Sequence, residues 1–197
     1  MDETAQKMNE ALKKAGFNRR QVTVRHRRAL YDDDYRIKVR DPNVSLLQIE
    51  EIVGEFESIR YDEYSGEILE GCNNYVFVDR DGKHPVDITQ ILPLVEPALT
   101  RAIQDGSNQP VQLPTRRYLI GLAQQGNPDL WGMKPDYMNR LTGKPNDPEQ
   151  EFNYITAFYW SGEINPEAIR STATVIAETI AENELNLAYI ERNAVAL

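Results

Sequence analysis

The chain has 197 residues, 41% of them apolar, and its 22 Lys/Arg against 31 Asp/Glu give a formal net charge of −9. This much apolar content supports a packed core and excludes disorder throughout, while apolar runs of only a few residues exclude a membrane-spanning helix. A single Cys rules out an internal disulfide, and no basic segment followed by an apolar block opens the chain, so the expected setting is cytoplasmic.

The charge is unevenly spread: residues 1–40 hold eleven Lys/Arg against six Asp/Glu, and the rest holds eleven against twenty-five. In chain order, Ala5, Met8, Leu12 and Ala15 at helical spacing predict a helix over 3–15 that Gly16 ends. Val22 and Val24 alternate with Thr23 and Arg25 as in a strand, and the Tyr31–Tyr35 stretch supplies a turn. Tyr35, Ile37 and Val39 then alternate with Arg36, Lys38 and Arg40, which predicts a β-hairpin with one basic face. Asp41-Pro42 ends the second strand, and Ser45 caps a helix running to about Phe56. A strand pair follows, Glu57–Asp62 and Glu67–Leu69 around Ser65-Gly66, and then a strand Tyr75–Asp79. The order predicts an α+β fold, with an α-β-β-α-β-β domain built on an antiparallel sheet.

A helix beginning at Asp87 or Thr89 reaches Gln104, with a kink or break expected at Pro97. Residues 105–115 read as a linker, followed by a short helix near 115–124, an irregular stretch, a helix near 148–160 and a long helix from Pro166 to about Arg192. The expected division is an α+β domain over 1–105 and a helical domain or extension over 106–197.

The run Arg60-Tyr61-Asp62-Glu63-Tyr64-Ser65-Gly66-Glu67-Ile68-Leu69, followed by Gly71-Cys72-Asn73-Asn74-Tyr75-Val76-Phe77-Val78, resembles the large polyvalent-protein-associated domains of phage and conjugative-element proteins, in particular the type numbered 29. The likeness extends upstream to Val22–Arg28, Tyr35–Pro42 and Phe56-Glu57-Ser58, and covers about 20–80. Cys72 stands where such a domain is expected to have a second glycine. The resemblance implies a mobile-element setting and a binding role, and it carries no catalytic residue.

The candidate chemistry is sparse. Asp79-Arg80-Asp81-Gly82 fails as a calcium loop, because aligning its glycine puts Phe77 and Ile88 where oxygen donors belong; it reads as a turn. Asp32, Asp33 and Asp34 are consecutive, so an extended chain points them apart. His26, His84 and Cys72 lack zinc-ligand spacing, and neither a nucleophile elbow nor a phosphate-binding glycine loop occurs. We therefore expect no enzyme, no metal and no cofactor.

Binding carries the functional expectation. Arg25, Arg27, Arg36, Lys38 and Arg40, with Tyr35, suit contact with phosphates and bases or with an acidic protein surface; the same cations also suit a solvated face balanced by Glu50, Glu51 and Glu57. Tyr159 and Trp160, in a dense aromatic group, suit either a core or a partner interface. The apolar stripe Ile169, Ala173, Ile176, Ile180, Leu187 and Ile190, broken by Asn183, suits packing within the chain or a homodimer seam. The chain is expected to be a non-catalytic accessory protein of a phage or mobile element that binds a protein partner and inhibits a host defence complex. The alternative is a nucleic-acid-binding module using the basic hairpin. No membrane partner is expected.

Overall fold

The computed structural model describes residues 2–28, 31–69, 71–104, 111–114, 117–125, 133–134, 153–160 and 165–194. They form a mixed α+β chain that divides into two compact units, Met1–Val86 with Leu185–Leu197, and Asp87–Glu184. The division falls at 86/87, so the helix expected to close the first domain belongs to the second unit.

The first unit begins with α1, Glu3–Lys14. The Asp2 carboxylate accepts from the Ala5 N–H at 3.0 Å, supplying a partner to a helix-start donor that has none within the helix. Ala5, Met8 and Leu12 form its buried face. The helix closes with Phe17 N–H donating to the Leu12 carbonyl and Gly16 N–H to that of Lys13, a paired closure that requires the left-handed φ of +95° Gly16 provides.

Strands β1 (Val22–Arg28) and β2 (Asp33–Val39) form the expected antiparallel hairpin, with Asp33 and Asp34 inside the second strand rather than in the turn. Helix α2 (Leu46–Val53) is capped by the Ser45 hydroxyl, which accepts from Gln48 N–H at 3.2 Å, and a 3-10 turn, Gly54–Phe56, prolongs it. Strand β3 (Asn74–Arg80) then pairs parallel with β2, giving the order β1-β2-β3. Here the structure departs from a purely antiparallel sheet. The connection through α2 is long enough to return the chain to the same end of the sheet, which a parallel pair needs.

The hairpin expected over 57–69 shrinks to one bridge, Tyr61 to Ile68. Its tip is held by the Asp62 carboxylate, which accepts from the Tyr64 and Ser65 N–H groups at 2.9 and 2.8 Å. Buried Asn73 anchors its base: the side-chain carbonyl accepts from Arg60 N–H at 2.8 Å and the amide donates to the Leu69 carbonyl at 2.7 Å. Cys72 does adopt a left-handed φ, +62°, and its N–H donates to the Tyr31 carbonyl at 2.7 Å.

Helices α1 and α2 cover one face of this sheet. The core between them is Ala5, Met8, Leu12, Val22, Tyr35, Ile37, Val39, Val44, Ile49 and Val53. Within the same unit, Asn186 accepts from the Ser45 hydroxyl at 2.7 Å and from Leu47 N–H at 3.3 Å, so a late turn of the last helix reaches the start of α2.

The second unit holds α3 (Leu92–Gln104), which runs on through Pro97. Its sheet has the order β4-β5-β7-β6, with β4 Val111–Gln112, β5 Tyr118–Gln125, β6 Met133–Lys134 and β7 Asn153–Trp160. Strands β5 and β7 occupy segments expected to be helical. Buried Tyr118 and Ile120 alternate with the less buried Leu119 and Gly121, the period of a strand, and Ile120 pairs with Ile155. The aromatic and β-branched run of β7 favours the same state. The last helix, α4, spans Pro166–Ala194, and the Asn165 side chain accepts from Ala168 N–H at its start. Ala173, Ile176 and Ile180 are fully covered within the chain, so the centre of the stripe considered for self-association is already buried. Among the described residues no helix is long and apolar enough to cross a membrane.

Candidate binding face

With helices on one face of β1–β2–β3, the other face is left to the residues of opposite parity. The register lays them out in rows. Thr23, Lys38 and Asp79 form one row; Arg25, Arg36 and Phe77 the next; Arg27, Asp34 and Tyr75 the third. Arg40 and Asp81 continue the pattern beyond the first row, joined by an ion pair of 3.1 Å.

The charges on this face are not equally balanced. Lys38 is paired with Asp79 at 3.0 Å, and Arg40 with Asp81. The Asp81 carboxyl is held below its usual range, first by the Lys83 N–H, with the Arg40 guanidinium adding to it against the opposing cost of burial. At the opposite end, Arg36 approaches Asp34 only to 3.8 Å and lies 6.0 Å from the centre of the Phe77 ring. Arg25 and Arg27 are exposed and make no ion pair among the described residues. Arg25 stands directly opposite Arg36, and like charges in that relation destabilise a strand pair.

Two aromatic side chains complete the face. Tyr75 and Phe77 lie on β3 with ring centres 6.3 Å apart and planes 18° from parallel, and Phe77 is 45% exposed. Sequence patterning alone does not single out either ring. The alternation along β3 is visible in it, but which of the strand's faces looks outward depends on the parallel register with β2.

The structure brings Arg25, Arg27, Arg36, Lys38 and Arg40 onto one face, as their alternation implied. Tyr35 is a correction. It is 1% exposed on the opposite, core-facing side, where its ring stacks on His26 at 5.0 Å and its hydroxyl donates to Asp2 at 2.9 Å. Sharing parity with Ile37 and Val39, it is committed to the core and is not available to a partner. Tyr159 and Trp160 lie in β7 of the second unit, and their side chains fall outside the described residues.

The three consecutive aspartates serve separate partners. Asp32 accepts from Asn73 N–H at 3.0 Å, Asp33 meets His26 Nε2 at 2.6 Å, and Asp34 faces Arg36. Among the described residues no three His, Cys, Asp or Glu side chains converge as a metal site would require. Comparisons with protein-family models, with curated proteins and with solved structures found no match.

Proposed function

We propose that the chain is a non-catalytic accessory protein of a phage or mobile element that acts by binding, and that its contact surface is the outer face of β1–β3, with nucleic acid as the ligand. The single observation that carries the ligand is the placing of Arg25 against Arg36 in register, beside an exposed Arg27, on a face opposite the core. A strand pair that sets two arginines against each other gives up stability, and a polyanion restores the balance. The mobile-element setting rests on the likeness over 20–80 alone.

Salt titration tests the reading. The full chain should bind nucleic acid at low salt, with affinity falling steeply as salt rises. The double variant Arg25→Glu/Arg36→Glu should flatten the log–log slope by roughly 0.7 for each phosphate that it no longer neutralises on a single strand. Absence of binding to every single- and double-stranded probe at low salt rejects it.

A second reading, a protein partner whose capture blocks a host defence complex, is favoured by the hairpin at 61–68. Tyr64 at its tip is 98% exposed, with Tyr61 and Ile68 exposed beside it. Aromatic side chains concentrate in the centres of protein interfaces. A partner captured by the native chain and lost with Tyr61→Ser/Tyr64→Ser supports this reading; equal capture by both proteins counts against it.

A further inference from the structure

Resting on the nucleic-acid reading above, we infer that the ligand of the β1–β3 face is an unpaired strand, with bases stacked on Tyr75 and Phe77 and phosphates held by Arg25, Arg27 and Arg36. Phe77 gives the first reason. A solvent-facing sheet surface is ordinarily polar, yet this ring is 45% exposed in the middle of the basic rows, on the side away from the core. Its neighbour Tyr75 presents a second ring 6.3 Å away, tilted by only 18°. Residues two apart on a strand share a face at about 7 Å, so the pair forms a platform for two bases rather than one.

The second reason is the order across the sheet. Within the Arg25–Arg36–Phe77 row, β3 offers an aromatic face while β2 and β1 offer guanidinium groups. A single strand lying on the sheet presents base faces on one side and phosphates on the other, and this order matches it. In a duplex the base faces are hidden in the stack, and what enters its major groove is a helix or a two-stranded ribbon, not a three-stranded sheet face. Electrostatics sets the position: Asp79 and Asp81 already engage Lys38 and Arg40, so the strand is directed to the end holding Arg25, Arg27 and Arg36. Asp34 lies within that end and opposes phosphates, which places the backbone nearer β1 than β3.

The test is fluorescence anisotropy of the full chain with a labelled oligothymidylate of about a dozen nucleotides and with a duplex of equal length. The single strand should bind more tightly. Phe77→Ala and Tyr75→Ala should each weaken it by about 5- to 150-fold while leaving the salt slope unchanged, because stacking is worth roughly 1–3 kcal/mol per base and releases no counterions. Phe77→Trp should retain binding and Phe77→Leu should lose it, which separates a stacking ring from a residue needed only for folding. Equal binding of duplex and single strand, or unchanged affinity in Phe77→Leu, overturns the inference while leaving the polyanion reading intact. Failure of both probes to bind removes both.

Discussion

Ile37→Ala is expected to remove about 2–5 kcal/mol of stability, the cost of emptying a fully buried aliphatic site that closes only in part. Ile37 is 0% exposed on β2, the central strand of the three, in register with Val24 on one side and Val78 on the other. Ile37 belongs to the core that α1 and α2 bury against this face, so its loss leaves a gap walled by packed side chains. Against a total of about 5–15 kcal/mol for a typical domain, such a loss is a large fraction. Hydrogen exchange should show protection falling at the amides of β1, β2 and β3, and denaturant unfolding should begin at lower concentration. Ile37→Val should cost only about 0.5–1.5 kcal/mol. Equal, small effects from the two variants would show that the central strand is not packed in this way.

Tyr35→Phe should reverse its effect on stability with pH. Burial, with the Asp2 carboxylate adding to it, pushes the Tyr35 hydroxyl from its ordinary 10.0 up to about 12. A group whose value is raised on folding contributes its full stabilisation below the unfolded value. That contribution is lost as pH climbs through the folded one, here between about 10 and 12, and a difference of two units corresponds to about 2–3 kcal/mol. Near pH 7 the variant lacks the hydrogen bond to Asp2 and is less stable by about 1 kcal/mol. Above pH 10 the native chain alone bears the cost of ionising a core tyrosine, so the deficit should shrink and then change sign. Denaturant midpoints of the two proteins at pH 7, 10 and 11.5 measure this, and curves that stay parallel throughout would place Tyr35 in solvent.

The first half of this fold was largely legible because its signals are local. The terminating Gly16, the alternation through Val22–Arg28 and the cap at Ser45 each act within a few residues of the element they define. The partner of β3 was not legible. Residues 57–69 and β2 were both available to it, and the choice was made by distant contacts, among them Asn73 gripping Arg60 and Leu69 while its own carbonyl accepts from Asp33 N–H. Strand β5 was missed because Leu, Ala and Gln weaken its β signal. The β-favouring residues of β7 were outweighed in a reading of 148–160 as a helix, and the pairing of the two strands spans a long stretch of sequence.

The binding face divides in the same way. Its cations were readable from alternation within β1 and β2, and that alternation already grouped Tyr35 with Ile37 and Val39 rather than with the arginines. Phe77 and Tyr75 join the arginines only through the β2–β3 register, a tertiary fact.

Strand β1 has a further consequence. It is the outermost strand of its sheet, and no described strand pairs with its outer edge. An open edge of backbone donors and acceptors invites pairing with another chain, and charge along the strand is a common deterrent. The charges of Arg25, Arg27 and Arg28 are expected to discourage edge-to-edge joining of separate copies. Alanine at these positions would expose an uncharged edge and favour aggregates, whereas glutamate would keep copies apart by repulsion of the opposite sign.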